Sequence, residues 1–307
     1  MLTTSNLCKT FGKLVAVNDL CMSVDRGDIM GFIGPNGAGK TTTIRMIATL
    51  LEPTSGTAHV DGIDVLEEPE IVRALIGYMP DFFGLYDDLL VWEYLDYFAS
   101  AYKIPKPKRK QAINDVLELT DLTGKYDAQV ESLSRGMKQR LCLAKTLLHD
   151  PKLLLLDEPA SGLDPRARAE IKDILRELGR MGKTILISSH ILPELADFCN
   201  KVAIIEQGKM VVSGPVDDIV EQVRSDRAVE IKVVENQQGV VELLRPMPGV
   251  AGVEIRDGAV HARLRNEAAQ HEILEALVNG GFKVQSFTET ELDLEDVFLK
   301  VTRGAVS

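Results

Sequence analysis

The 307-residue sequence is informative first for what it lacks. Its four cysteines, Cys8, Cys21, Cys142 and Cys199, are scattered, and no two form a CxxC pair. That spacing argues against the usual short zinc and thiol-redox motifs and favours a reducing compartment. No apolar run approaches the ~18 residues needed to cross a bilayer, and the N-terminus carries no basic-then-apolar signal pattern. Action at a membrane would therefore need another subunit to supply the span. Positive charge is not in excess: 35 Lys and Arg against 46 Asp and Glu leave a formal net charge of -11. That balance weighs against a nucleic-acid partner. Heptad runs, internal repeats and low-complexity segments are also missing.

What is present centres on Gly34-Pro35-Asn36-Gly37-Ala38-Gly39-Lys40-Thr41. This matches the phosphate-binding pattern G-x-x-x-x-G-K-[S/T] at every required position. Asp28 to Ile33 reads as the strand entering the loop, and Thr41 to Leu51 as the helix leaving it, with Thr42 in its first turn. Glycines let backbone N–H groups converge on one point, and the helix N-terminus adds partial positive charge there. Lys40 reaches the β- and γ-phosphates of a bound triphosphate, and the Thr41 hydroxyl is a ligand for Mg²⁺. Asp157-Glu158 ends the apolar run Leu153 to Leu156, which suits a buried parallel strand. In a P-loop protein that placement predicts Asp157 on Mg²⁺ and Glu158 polarising an attacking water.

Alternation of strands and helices to about residue 220 predicts an α/β domain with a largely parallel sheet. Its antiparallel part lies in residues 1–27 and around the Asp61-Gly62 turn. Residues 87–150 read as a helical insert from the spacing of Val91, Tyr94, Leu95 and Phe98, and again of Ile113, Val116 and Leu117. Pro105 and Pro107, in a Lys/Arg-rich stretch, mark a loop inside it. After residue 225 the pattern restarts as β-α-β-β-α-β, the order of a ferredoxin-like domain, with a terminal helix over Leu294 to Lys300. The expected division is thus 1–225 and 226–307.

Leu133-Ser134-Arg135-Gly136-Met137-Lys138-Gln139-Arg140 resembles the signature motif of ATP-binding-cassette (ABC) ATPases, usually LSGGQ. Ser161-Gly162-Leu163-Asp164 resembles that family's D-loop, and Ser188-Ser189-His190 its switch histidine. Phe11 stands where the family places an aromatic ring on adenine. The resemblance covers residues 1 to about 220 and implies an ATPase subunit of a transporter, of the bacterial exporter subclass, with ATP and Mg²⁺ as its ligands. It implies two chains facing head to tail, as a homodimer, with Ser134 and Gly136 of one chain meeting the nucleotide on the other. His190 would contact the γ-phosphate, Asp164 would lie at the dimer interface, and Val17 could flank adenine beside Phe11. A polytopic membrane subunit would hold the protein on the cytoplasmic face of the membrane, against the aromatic stretch Phe82-Phe83-Gly84-Leu85-Tyr86. No nucleic acid is expected.

Two departures stand out. The family's Gln is replaced by Asp81, which either serves Mg²⁺ or only shapes its loop. Arg135 either adds charge near the partner's ATP or points to solvent. The alternatives to a transporter subunit are a soluble ABC ATPase acting on a macromolecular assembly and a purely structural nucleotide-binding module. Intact Glu158 and His190 disfavour the last.

Overall fold

The structure is a computed structural model and describes residues 1–82, 84–191, 195, 197–219, 228–256, 258–264 and 268–290. Its contacts separate into two units, Met1–Val216 and Asp217–Ser307.

The first unit is built on two sheets. β1 (Leu2–Phe11), β2 (Leu14–Val24), β4 (Ser55–Val60) and β5 (Ile63–Asp64) form an antiparallel sheet in the order β2-β1-β4-β5. The second sheet comprises β3 (Ile29–Ile33), β6 (Ile76–Met79), β7 (Leu153–Asp157), β8 (Thr184–Ser189), β9 (Lys201–Glu206) and β10 (Lys209–Pro215), in the order β10-β9-β3-β8-β7-β6. All its pairs are parallel except β9–β10. Strands β3, β7 and β8 are buried along their whole length, as parallel strands covered on both faces must be. Between the sheets lies the core of Phe32, Ile44, Ile47, Leu155 and Leu186.

Helix α1 (Lys40–Ile47) leaves the phosphate loop, α2 (Pro69–Leu75) precedes β6, and α6 (Pro165–Arg180) connects β7 to β8. α1 is shorter than its apolar pattern predicts, because Thr49 turns to φ +62° and ends the helical path. The helical insert holds α3 (Val91–Ala101), α4 (Lys106–Leu119) and α5 (Arg135–Leu147). Here the expectation of a basic loop is corrected: Lys106 to Lys110 form the first turns of α4. Pro107 sits at the start of that helix, where its missing N–H would have no partner in any case.

His149 ties this insert to the sheet. Its ring stacks on Tyr102 with centroids 4.0 Å apart, and its Nε2 lies 2.8 Å from the carbonyl oxygen of Ile76 in β6. Burial holds the imidazole below its ordinary value near 6.5. Below that value the unfolded chain takes up a proton that the folded chain resists, so this group costs stability as pH falls. His149→Phe keeps the stacking but loses the hydrogen bond and the titration. The melting-temperature gap between parent and variant should therefore narrow from about pH 7.5 to about pH 5.5. A gap constant across a thermal-melt pH series would contradict the assignment.

In the second unit, β11 (Ala228–Val233), α7 (Gln237–Leu244), β12 (Val250–Arg256), β13 (Ala259–Leu264), α8 (Ala268–Asn279) and β14 (Val284–Thr290) follow one another. The sheet order is β12-β13-β11-β14 with antiparallel pairs throughout, which is the ferredoxin-like arrangement. Val229, Ile231, Val260, Ile273 and Leu277 fill its core. The expected helix over Leu294 to Lys300 lies outside the described residues.

Candidate functional site

The loop after β3 is shaped by close approaches. A Cβ on Gly34 would overlap the carbonyl oxygen of Ile205 in β9. Gly39, at φ +104°, lies so near β2 that a Cβ would come within 2.5 Å of the Ala16 carbonyl oxygen. Gly39 is also the N-cap of α1 and offers no side chain to the first turn. The N–H groups of that turn are thus left for an external acceptor, and phosphate oxygens fit that need.

Lys40 is only 6% exposed. Its Nζ donates to the carbonyl oxygens of Gly34 at 2.6 Å and Pro35 at 3.2 Å, and lies 3.5 Å from Glu158 Oε1. Burial pushes the ammonium pKa down, while Glu158, Asp157 and Asp81 oppose the shift. Each of these acids favours the charged lysine that a polyphosphate requires.

The acids are held from β8. Ser188 Oγ donates to Asp157 Oδ1 at 2.7 Å and accepts from the Glu158 N–H at 3.0 Å. Next to it, Ser189 presents its carbonyl oxygen 3.4 Å from the Gly34 nitrogen. His190 Nδ1 lies 2.9 Å from Glu158 Oε2. Glu158 adopts φ +49°, a left-handed backbone uncommon outside glycine and found preferentially at functional sites. Asp157 is 1% exposed, and its Oδ2 has no hydrogen-bond partner.

These groups surround a cleft of about 420 Å³ lined by Phe11, residues 36–42, Asp81, Glu158, Ser161 and His190. Partial burial pushes the Asp81 carboxyl pKa up, and the neighbouring Asp157 and Glu158 carboxylates add to the shift. Phe11 is 48% exposed, with Lys9 Nζ 5.2 Å from its ring centroid. The expectation for Val17 is corrected. Its side chain is fully buried in the core, and Leu14 and Ala16 line the cleft instead.

Ser134, Gly136 and Asp164 do not line this cleft. Ser134 caps α5, accepting from the Met137 N–H at 3.3 Å. Asp164 caps α6, accepting from the Ala167 N–H at 2.9 Å. Gly136 is buried, and a Cβ there would lie 2.7 Å from the Ala167 Cβ, so its side is closed by α6. Two contributors had no assigned role in the sequence. Ser188 earns its role from the parallel register that places it beside Asp157, and Gln139 donates to the Pro159 carbonyl oxygen at 2.6 Å. Neither pairing is visible without the strand and helix order.

A loop on a helix N-terminus, a buried lysine and two acids held by the adjacent strand define a nucleotide triphosphatase of the P-loop class. Comparison with known proteins narrows this. Residues 17–161 match the family described as ABC transporter, and residues 214–302 the C-terminal domain of DrrA1-3-like ATP-binding proteins. The chain is 34% identical to the Nod factor export ATP-binding protein I of Burkholderia lata, over 97% of this chain and 95% of that protein. It is 35% identical to the bacitracin transport ATP-binding protein BcrA of Bacillus licheniformis, over 99% and 98%. A solved ATP-binding subunit of an ABC transporter superposes with a TM-score of 0.65 at 31% identity, covering 73% of this chain and 93% of that one. The chain belongs to the ABC transporter ATP-binding proteins, and its activity is that of an ATPase subunit of such a transporter.

Proposed function

We propose that the chain works as a head-to-tail pair of copies, hydrolyses ATP held between them, and drives a polytopic membrane subunit in export. The observation that carries this is the division of the phosphate-binding parts. Lys40, Glu158 and His190 share one cleft, whereas the helix N-terminus at Ser134 lies outside it. A second copy brings that N-terminus to the phosphates.

Within the cleft, Lys40 and the first turn of α1 bind the β- and γ-phosphates, and Phe11 supports the adenine. Glu158 orients the attacking water and accepts its proton. His190, bonded to Glu158, holds that carboxylate and faces the γ-phosphate. The unpartnered buried Oδ2 of Asp157 fits a divalent cation or its bound water. Thr41 and Asp157 would hold Mg²⁺, with Asp81 available from the cleft wall. When bound, the ion neutralises phosphate charge. No group of three His, Cys, Asp or Glu residues suited to a metal occurs among the described residues, in keeping with an ion held mainly by substrate phosphates.

Docking on the membrane subunit is assigned to the aromatic surface of the insert. Phe82 is 89% exposed, and Tyr86 and Tyr97 are both more than half exposed, their rings 5.9 Å apart. Trp92 stacks on Tyr126 within the insert and takes no part. Phe83 lies outside the described residues. Among the described residues no helix is long and apolar enough to cross a membrane. The membrane subunit would hold the protein at the cytoplasmic face. The names of these relatives, Nod factor export and bacitracin transport proteins, support an exporter. The second unit serves interaction or stabilisation of the pair.

Phe82→Glu tests the assignment. Recovery of the chain with a polytopic subunit from detergent-solubilised membranes should fall about tenfold, with ATP binding unchanged. Unchanged co-purification would place the docking surface elsewhere.

A further inference from the structure

The loop that carries Glu158 is gripped from one side by helix α5. Between β7 and α6 the chain makes two tight turns, Ser161 N–H to the Glu158 carbonyl at 3.0 Å and Leu163 N–H to the Ala160 carbonyl at 3.4 Å. Two of its residues take left-handed backbone, Glu158 at φ +49° and Gly162 at φ +66°. Such a path persists only when its surroundings enforce it. The enforcement comes from one face of α5, where residues four apart are neighbours. Gln139 Nε2 holds the Pro159 carbonyl oxygen at 2.6 Å. One turn earlier, the Arg135 guanidinium lies over Gly162: a Cβ there would overlap Nη2 and approach Cζ to 2.8 Å. The same Nη2 is 3.5 Å from the Ser161 carbonyl oxygen. Arg135 is exposed, yet its guanidinium rests against the 158–162 loop of its own chain.

We propose that Arg135 is a positioning residue for hydrolysis: its guanidinium seats on Gly162 and fixes the 158–162 loop, and with it the Glu158 carboxylate, in the same chain. The glycine is required twice, for its left-handed φ and for the missing Cβ that lets the guanidinium settle. The guanidinium reaches both Gly162 and the Ser161 carbonyl oxygen, and a compact ammonium does not reproduce that double contact. Because α5 begins at Ser134, the latch joins the segment expected to meet one nucleotide to the acid that acts on the other. The inference rests on Glu158 being the base.

The test is a double-mutant cycle in the full-length chain, reading steady-state ATP hydrolysis. Arg135→Ala should lower kcat about fivefold and leave KM for ATP within about twofold. Gly162→Ala should lower kcat more in the parent than in the Arg135→Ala background, where the clash has gone and only the cost of the left-handed φ remains. Arg135→Lys should recover less than half of the loss, and it keeps the test readable if the alanine variant melts early. Multiplicative effects across the cycle, full recovery by lysine, or a change confined to KM would each overturn the latch. Glu158→Gln in the same assay reports the base assignment separately: if that variant turns over normally, the base assignment fails whatever Arg135 does.

Discussion

Replacement of Glu158 by Gln leaves ATP binding in place and lowers turnover on the order of 10²- to 10³-fold, the range expected when a general base is removed. The substitution is nearly isosteric, so the loop and its contact with Ser188 through the backbone N–H survive. What disappears is the negative charge 3.5 Å from Lys40 and 2.9 Å from His190. Loss of that charge also removes repulsion against a polyphosphate, so the variant should hold ATP at least as firmly as the parent. Gel filtration with ATP should then show accumulation of a paired form that the parent passes through quickly. Filter binding and phosphate release measured on one preparation decide the matter. Normal phosphate release would remove Glu158 from the role of base, and loss of binding would show that it serves the loop rather than the reaction.

The second large effect concerns Gly39. Alanine there must adopt φ +104° and place its Cβ 2.5 Å from the Ala16 carbonyl oxygen, so β2 or the loop has to move. Left-handed strain alone costs about 1 kcal/mol, equivalent to about fivefold in affinity, and the 2.5 Å approach to Ala16 adds at least about as much again. ATP affinity should therefore fall by at least about 30-fold in a calorimetric titration. Gly37 is the internal control. It also has positive φ, +81°, but a Cβ there meets nothing within 4 Å. Gly37→Ala should cost only about fivefold, from backbone strain of about 1 kcal/mol. Equal losses at both positions would show that the approach to Ala16 has no part in shaping the loop.

The parts of the site that the sequence displayed are those whose chemistry is local. A phosphate loop needs its glycines and lysine at fixed spacing, and a strand that ends in two acids announces itself by its apolar run. The second unit was legible for a similar reason, since turn residues punctuate β11 to β14 in a familiar order. The failures occurred where neighbours distant in sequence decide. Val17 faces the core because β1 and β2 slip register between Leu7 and Lys9 and again between Lys9 and Thr10. Such slips change which side chains face inward, and no alternation count reveals them. Pro107 looked like a loop marker because proline breaks helices, yet at the first turn it breaks nothing. Arg135 offered two readings from its charge, while its position is set by the absence of a side chain on Gly162. Phe11 and Asp81 do reach the cleft, although their spacing from the loop gave no hint of distance.

The end of β8 and the residue that follows it touch three parts of the reaction apparatus: Ser188 holds Asp157, Ser189 meets Gly34, and His190 meets Glu158. β8 lies between β3 and β7, the strands that deliver those parts. Spacing among lysine, acids and histidine is thus inherited from the stacking of three strands and does not depend on the lengths of surface connections. Surface segments can therefore change length or chemistry without moving the lysine, the acids or the histidine relative to one another.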